Sequence, residues 1–185
     1  NANAHANLGL ALMALSRFDE AIASFERAIA IEPRHPTARL NVALTLLLLG
    51  RFERGWDAYE HRWLTLRHNI DRRIWVRPQW RGEPLNGRTV LLHAEQGHGD
   101  TIQFVRYALL VAREGAGRVL LLTQPSLRRL FANLPSIEYV LTPGEPLPPF
   151  DLHCPLLSLP KAFRTTLDTV PAVVPYLLAA PEAAG

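Results

Sequence analysis

The stretch Asn7-Leu8-Gly9, followed by Ser16-Arg17-Phe18 and Phe25, returns by residue class about 34 positions further along the chain. The corresponding residues are Asn41-Val42-Ala43, Gly50-Arg51-Phe52 and Tyr59. A period of about 34 indicates repeated pairs of antiparallel helices, because each pair buries its apolar face only against its neighbours. The first 67 residues are therefore predicted to be two such repeats.

The apolar residues of this region predict four helices within residues 2–66, with Pro33 and Pro36 separating the two pairs and Gly50 at the second turn. Small residues at Gly9, Ala21 and Ala28 allow the helices of the first pair to approach closely. With Pro33 at its end, the pattern resembles the tetratricopeptide repeat. That resemblance implies a surface that binds other proteins.

The second repeat departs from that pattern, because it has Gly55 and Arg62 where alanines are expected. It carries instead an aromatic stripe of Trp56, Tyr59 and Trp63, at helical spacing. A terminal repeat must cover its exposed face, so we expect this stripe to pack against the chain that follows. The alternative is that it stacks on a ligand.

Composition excludes several classes of protein. The chain has 185 residues and 48% apolar residues, but no apolar run long enough to span a membrane. One cysteine, Cys154, excludes an internal disulfide and favours a reducing, cytoplasmic location. The net charge is +3, yet the arginines are scattered among acids, so no nucleic-acid partner is expected. Because the repeat is under way by Asn7 and the chain starts at Asn1, we interpret it as a fragment.

Residues 68–88 read as an aromatic, Pro- and Gly-rich linker that packs on its neighbours. The residues that suggest such packing are Ile74, Trp75, Val76 and Trp80. From residue 89 to 185, apolar strands alternate with helical patterns, which implies a parallel sheet with right-handed crossovers. Strands are predicted at 89–94, 118–123, 137–141 and 151–154, with helices at 101–113, from Pro125 to Phe131 and near 156–163. The predicted fold class is α plus α/β, with helical hairpins followed by a Rossmann-like domain.

The loop after the first predicted strand is the strongest candidate for a binding or catalytic site. Its sequence is Gln96-Gly97-His98-Gly99-Asp100. Glycines at 97 and 99 permit a tight turn and close approach to a ligand, and ligands of open α/β sheets bind at this end of the strands. The fuller dinucleotide fingerprint is not met, because residue 102 is Ile, and no P-loop lysine follows. Bound NAD or ATP is therefore not expected.

Two roles remain open for Asp100 and two for His98. Asp100 is the N-cap of a helix that begins at Asp100 or Thr101, a general base for an acceptor hydroxyl, or both, although capping lowers the basicity of the carboxylate. His98 is either an exposed loop residue, or an acid/base or phosphate-contacting group. Glu95 and Gln96 lie on the same rim and are candidates to bind a polar substrate, together with Gly97 and Gly99.

The remaining His and Cys residues do not predict a metal site. His93 lies within a strand and is read as a core histidine. His153 and Cys154 are adjacent on a strand, so their side chains point to opposite faces, and no partner pair has ligand spacing.

Residues 89–160 resemble the N-terminal half of heptosyltransferase-like glycosyltransferases of family nine. The motifs that carry the resemblance are Val90-Leu91-Leu92, Gly97-His98-Gly99-Asp100, Pro125-Ser126-Leu127-Arg128-Arg129-Leu130 and Leu134-Pro135-Ser136-Ile137. The whole chain is similar to bacterial tetratricopeptide proteins with such a domain attached. The resemblance implies two facing Rossmann-like domains, half of a glycosyltransferase B-type fold here, with Asp100 as catalytic base. The second domain, expected beyond Gly185, would bind a nucleotide sugar, so the fragment alone is expected to be inactive and without a cofactor.

Asn7 and Asn41 project from equivalent turns of successive first helices. Similar repeats joined to O-linked N-acetylglucosamine transferases use asparagines at this position to hold a peptide backbone, because Asn is both donor and acceptor. The alternative to a transferase is a non-catalytic scaffold whose repeats are the working surface.

Overall fold

A computed structural model describes residues 1–64 and 74–177 of the chain. The molecule divides into two compact units. One comprises Asn1–Asn69 with Arg164–Val170, and the other comprises Ile70–Phe163 with Pro171–Gly185.

The first unit is helical. Its helices are α1 (Ala2–Ala14), α2 (Phe18–Ile31), α3 (Pro36–Leu48) and α4 (Phe52–Tyr59), followed by a 3-10 helix over Glu60–Leu64. Ser16 and Gly50, 34 positions apart, both adopt positive φ (57° and 71°) at the turn inside each pair. The two turns therefore share one backbone conformation, as the repeat predicts, although Gly50 adopts it without the strain that Ser16 bears.

The core of the helical unit depends on small residues where α1 and α2 meet. Phe25 is completely buried, as are Ala21, Ala28 and Ala43. A Cβ on Gly9 would lie 2.5 Å from a Phe25 ring carbon. Glycine at this position is thus required by the aromatic ring that faces it.

The second repeat uses a buried arginine where the pattern calls for alanine. Arg62 is fully buried, and its Nη1 donates to the Tyr59 carbonyl at 3.3 Å and to Glu60 Oε1 at 2.7 Å. Its guanidinium lies 5.0 Å from the centre of the Tyr59 ring and 4.6 Å from that of Trp63. Because aromatic faces and a carboxylate surround the charge, burial is tolerated. The predicted helix over 52–66 is α-helical only to Tyr59, and residues 65 and 66 lie outside the described residues.

The aromatic stripe does contact a later part of the chain within this unit. Trp56 stacks on Phe52, with ring centres 6.0 Å apart, and its Nε1 donates to the Thr165 carbonyl at 3.1 Å. Thr165 is buried. The returning segment 164–170 thus joins the terminal repeat.

The second unit is a four-stranded parallel sheet, which confirms the predicted fold class. The strands are β1 (Thr89–His93), β2 (Arg118–Leu122), β3 (Tyr139–Leu141) and β4 (Leu152–Pro155), in the order β3-β2-β1-β4. All three pairings are parallel. The middle of β1 is completely buried, as expected for a strand that is covered on both faces.

The connecting helices are shorter and more broken than the sequence predicts. They are α5 (His98–Phe104), a 3-10 turn at Val105–Tyr107, α6 (Ala108–Arg113), α7 (Arg128–Phe131) and α8 (Leu159–Ala162). Further 3-10 turns cover Ile74–Val76, Pro125–Leu127, Leu156–Ser158 and Leu167–Thr169. The strand predicted from Ile137 begins at Tyr139, because the Ile137 amide closes a turn onto the Leu134 carbonyl.

Residues 74–88 pack within the sheet unit. The Trp80 amide donates to the His153 carbonyl at 2.8 Å, and the His153 amide donates to the Pro78 carbonyl at 3.1 Å. This short pairing extends the sheet beyond β4. Ile74 and Trp80 are buried, whereas Val76 is exposed, and the side chain of Trp75 lies outside the described residues. Within the described ranges, no helix is both long and apolar enough to cross a membrane.

Candidate functional site

The candidate site lies at the carboxyl edge of the sheet, where strand order reverses. The chain leaves β1 toward β2 and β3, then returns across the sheet to place β4 on the other side of β1. In open α/β sheets, the crevice at such a reversal is where ligands bind. Residues 94–97, which follow β1, and Leu156–Ser158, which follow β4, flank this crevice.

Glu95 spans the reversal. Its Oε1 accepts a hydrogen bond from the amide of Leu157, at 3.3 Å. The predicted substrate-binding carboxylate therefore also holds the loops after β1 and β4 together. Such a bond orders the rim of the crevice.

A second pair of bonds ties the loop after β1 to the loop after β2. Gln124 Nε2 donates to the Gln96 carbonyl at 2.9 Å, and His98 Nε2 lies 2.7 Å from Ser126 Oγ. His98 is exposed, as expected for the first of its two predicted roles, an exposed loop residue. Its ring is nevertheless oriented by the contact with Ser126. One ring nitrogen is engaged there, so any proton transfer to a ligand would use Nδ1.

Asp100 is not the N-cap, and this prediction was wrong. Helix α5 begins at His98, with Gly97 in the N-cap position. Asp100 is the third residue of the helix, and its Oδ2 accepts from the Gly97 amide at 3.2 Å. This is the carboxylate half of a capping box; glycine has no side chain to supply the other half. The helix starts early because that bond and Thr101 Oγ1, which donates to the Gly97 carbonyl at 3.1 Å, close the first turn.

The two carboxylate oxygens of Asp100 differ in their hydrogen bonding. Asp100 is half-buried, and Oδ1 receives no hydrogen bond from the described part of the chain. One oxygen thus fixes the carboxylate while the other stays available. That division suits a group that accepts a proton from a bound hydroxyl.

The two glycines of the loop do not make the tight turn that was expected. Neither Gly97 nor Gly99 has positive φ, and Gly97 is extended at φ −68° and ψ 169°. A Cβ at Gly99 would have no atom within 4 Å. Packing within the described residues therefore does not require glycine at 99, which leaves close approach of a ligand as a reason for it.

Two buried histidines lie beneath the crevice. His93 Nε2 is 3.1 Å from His153 Nδ1, and both residues are at most 1% exposed. The reading of His93 as a core histidine is confirmed. Burial lowers the pKa of His153 to about 4, because a charged imidazolium is poorly solvated there. In the described ranges, no three His, Cys, Asp or Glu side chains come together as a metal site.

On the helical unit, Asn7 is exposed on α1 and Asn41 is half-buried on α3. Asn41 Nδ2 donates to the Thr37 carbonyl of its own helix at 2.8 Å, so the two asparagines are not equally available. Leu10 and Leu44, also 34 positions apart, are 40% and 41% exposed. Sequence reasoning overlooked this apolar pair, although the same period marks it.

Comparison with known proteins supports the prediction of tetratricopeptide repeats in the helical unit. Residues 2–35 match the tetratricopeptide repeat family. The chain is also 31% identical over 108 residues to Protein FlbA of Caulobacter vibrioides. That match covers 55% of this chain and 17% of FlbA, so the chain spans only a small part of its relative. Residues 2–35 are thus a tetratricopeptide repeat, which suggests a role in protein interaction. The glycosyltransferase resemblance of the sheet unit stays a prediction.

Proposed function

We propose that this chain couples a protein-docking repeat module to the acceptor side of a sugar transferase. The repeats hold a segment of a partner protein. The sheet unit presents Asp100 to an acceptor hydroxyl, and a second domain of the natural protein binds the nucleotide sugar. The observation that carries the proposal is the Asp100 carboxylate at the strand-order reversal, with one oxygen held by Gly97 and the other unengaged within the described structure.

The proposed chemistry is a displacement at the anomeric carbon. The acceptor oxygen forms a bond to that carbon, and the bond to the donor phosphate breaks. The nucleoside diphosphate leaves with the bonding electrons, and the hydroxyl proton passes to Asp100. Glu95 and Gln96 border the acceptor, and His98, oriented by Ser126, contacts it or the phosphate.

The docking surface on the repeats centres on the exposed amide of Asn7. An Asn side chain offers a donor and an acceptor to a main chain, irrespective of the partner's sequence. Leu10 and Leu44 add two exposed apolar positions at equivalent places in α1 and α3. An extended segment with apolar side chains fits this surface better than a charged one, since α1 carries no Asp, Glu, Lys or Arg.

The test uses the natural protein that contains this chain. A panel of nucleotide sugars is titrated by calorimetry, and sugar transfer is then measured with the donor that binds. Asp100→Asn should leave donor affinity unchanged and lower transfer by about 100-fold or more, the usual contribution of a general base. Asn keeps an oxygen that can accept from Gly97, so the helix start should persist.

Asp151→Asn is the matched control. Asp151 Oδ2 accepts from the Thr89 amide at 2.8 Å, at the opposite, amino end of β1. The substitution makes the same change of charge on a carboxylate that also binds one backbone amide. Transfer by this variant should stay near the original rate, and equal losses in both variants would contradict a catalytic role for Asp100.

A non-catalytic scaffold is the second candidate, and one observation favours it. Glu95 and His98 each form a bond that joins two loops, and Asp100 closes the first turn of its own helix, which is what a purely structural rim would show. On this reading no nucleotide sugar binds. A partner segment would still bind the repeats, and Asn7→Ala would weaken it.

A further inference from the structure

A groove in the sheet unit lies apart from the carboxyl-edge site. It has a volume of about 310 Å³. Its walls are the helical segment from Val105 to Arg113, residues 130–136 after β2, and residues 171–176. None of the residues at the carboxyl edge lines it, so its ligand need not be the sugar acceptor.

The groove is lined mainly by apolar side chains. Leu109 and Leu110 come from α6, Leu130 and Leu134 from the region of α7, and Val173 and Pro175 from the last segment. Leu109 is 38% exposed and Val173 is 67% exposed. Apolar surface that is open to water in a concave site is typical of ligand pockets.

Residues 171–176 are held as a strap along the helical wall. Arg106 Nη1 donates to the Pro171 carbonyl at 2.8 Å, and its guanidinium lies 4.3 Å from the centre of the Tyr176 ring. Tyr176 in turn donates its hydroxyl to the Ile102 carbonyl at 3.0 Å. The strap is therefore anchored at both ends, and the groove is a formed feature of the unit.

The charges of the groove are all of one sign. Arg106 and Arg113 line it, and no acidic side chain does so among the described residues. Arg113 is exposed and has no ion-pair partner in the described part of the chain. The Nε of Arg106 is buried and has no hydrogen-bond partner there. An apolar groove with two arginines and no carboxylate is complementary to a ligand with an apolar body and an anionic end.

We propose that this groove binds an unbranched acyl chain that ends in a carboxylate. The tail lies along Leu109, Leu130 and Val173, and the carboxylate meets Arg113, with Arg106 nearby. The volume of about 310 Å³ lies at the lower end of the range for small-molecule pockets, about 300–1,000 Å³, so a chain of medium length is the ligand to test.

The probe is decanoate, titrated by calorimetry into the 185-residue chain. Decyltrimethylammonium has a tail one methylene longer and the opposite charge, and serves as the ligand control. Decanoate should bind with one site per chain and at least about tenfold more tightly than the cation, because two arginines attract one and repel the other.

Two variants test separately what the carboxylate and the apolar tail of decanoate contribute to binding. Arg113→Gln should weaken decanoate about threefold, the usual range for an exposed ion pair, and should not weaken the cation. Leu109→Ser should weaken both probes by on the order of fivefold, because apolar contact is lost from either tail. Arg129→Gln is the matched control, since Arg129 is exposed on α7 and does not line the groove.

The outcomes are distinct. Tighter binding of the anion, a reduction of that preference by about threefold in Arg113→Gln and an unchanged preference in Arg129→Gln would support the proposal. No saturable binding of decanoate, or equal affinity for both probes, would overturn it. Far-UV circular dichroism of each variant checks that the fold persists, and the sugar-transfer assay is independent of every one of these results.

Discussion

Replacing Gly9 by alanine tests the packing on which the repeat module depends. Gly9 lies on α1 against the fully buried ring of Phe25. An added Cβ would be 2.5, 2.6 and 2.8 Å from three ring carbons, whereas ordinary carbon contacts are about 3.5–4.0 Å. The overlap is about 1 Å, and the ring cannot move into solvent because it is buried.

The magnitude follows from two opposing effects. Forcing an extra methyl group into a packed core costs about 1–3 kcal/mol. Replacing glycine by alanine inside a helix stabilises by about 1 kcal/mol. We expect Gly9→Ala to lower the free energy of unfolding of the helical unit by about 1 kcal/mol, measured by urea titration with far-UV circular dichroism.

Gly99→Ala is the control, because Gly99 lies within α5 and a Cβ there meets no atom within 4 Å. Without a clash, this variant should be stabilised by about 0.5 kcal/mol. In a double-mutant cycle, Phe25→Leu should remove about 2 kcal/mol of the unfavourable coupling with Gly9→Ala. Stabilisation by Gly9→Ala, or additivity in the cycle, would refute the close contact between the two helices.

Two further predictions concern hydrogen-bonded groups. His153 has a folded pKa of about 4, below the ordinary value of about 6.5. Between these two pKa values, the unfolded chain therefore binds more protons than the folded chain. Lowering the pH from 7 to 5 should therefore cost roughly 2 kcal/mol of stability through this residue; urea titrations of His153→Gln should show a smaller loss, and an identical loss would exclude the histidine as the cause. Trp56→Phe should lower stability by about 1 kcal/mol, since a six-membered aromatic ring is kept while the indole N–H and its hydrogen bond to the Thr165 carbonyl are lost. An unchanged urea midpoint would show that the bond contributes nothing.

The candidate site illustrates what can be predicted from local sequence. A glycine-containing loop after an apolar strand predicted correctly that residues 95–100 lie at the carboxyl edge of a parallel sheet. It did not predict that Asp100 is the third helical residue, because helix ends depend on which backbone amides find a partner. The bonds from Glu95 to Leu157 and from His98 to Ser126 join residues 62 and 28 positions apart, and no local pattern encodes such pairs.

The linker shows the same limit. Its Trp and Pro content predicted packing against neighbours, and in the described part of the linker Trp80 is buried and its backbone amide donates to the His153 carbonyl. Val76, which was also predicted to pack, is exposed. The burial of a single side chain depends on which residues lie opposite it, and the local sequence does not record that.

By itself, the amino-acid sequence determined the two helical repeats, the parallel sheet and the place of the candidate loop. Periodicity records these features because each helix or strand must bury one face, and that requirement recurs at every turn or every second residue. The tertiary structure alone decided that Arg62 is buried between aromatic rings, that His93 meets His153, and that residues 171–176 close a groove over α6. Those contacts join distant parts of the chain, and only the packed fold brings them together.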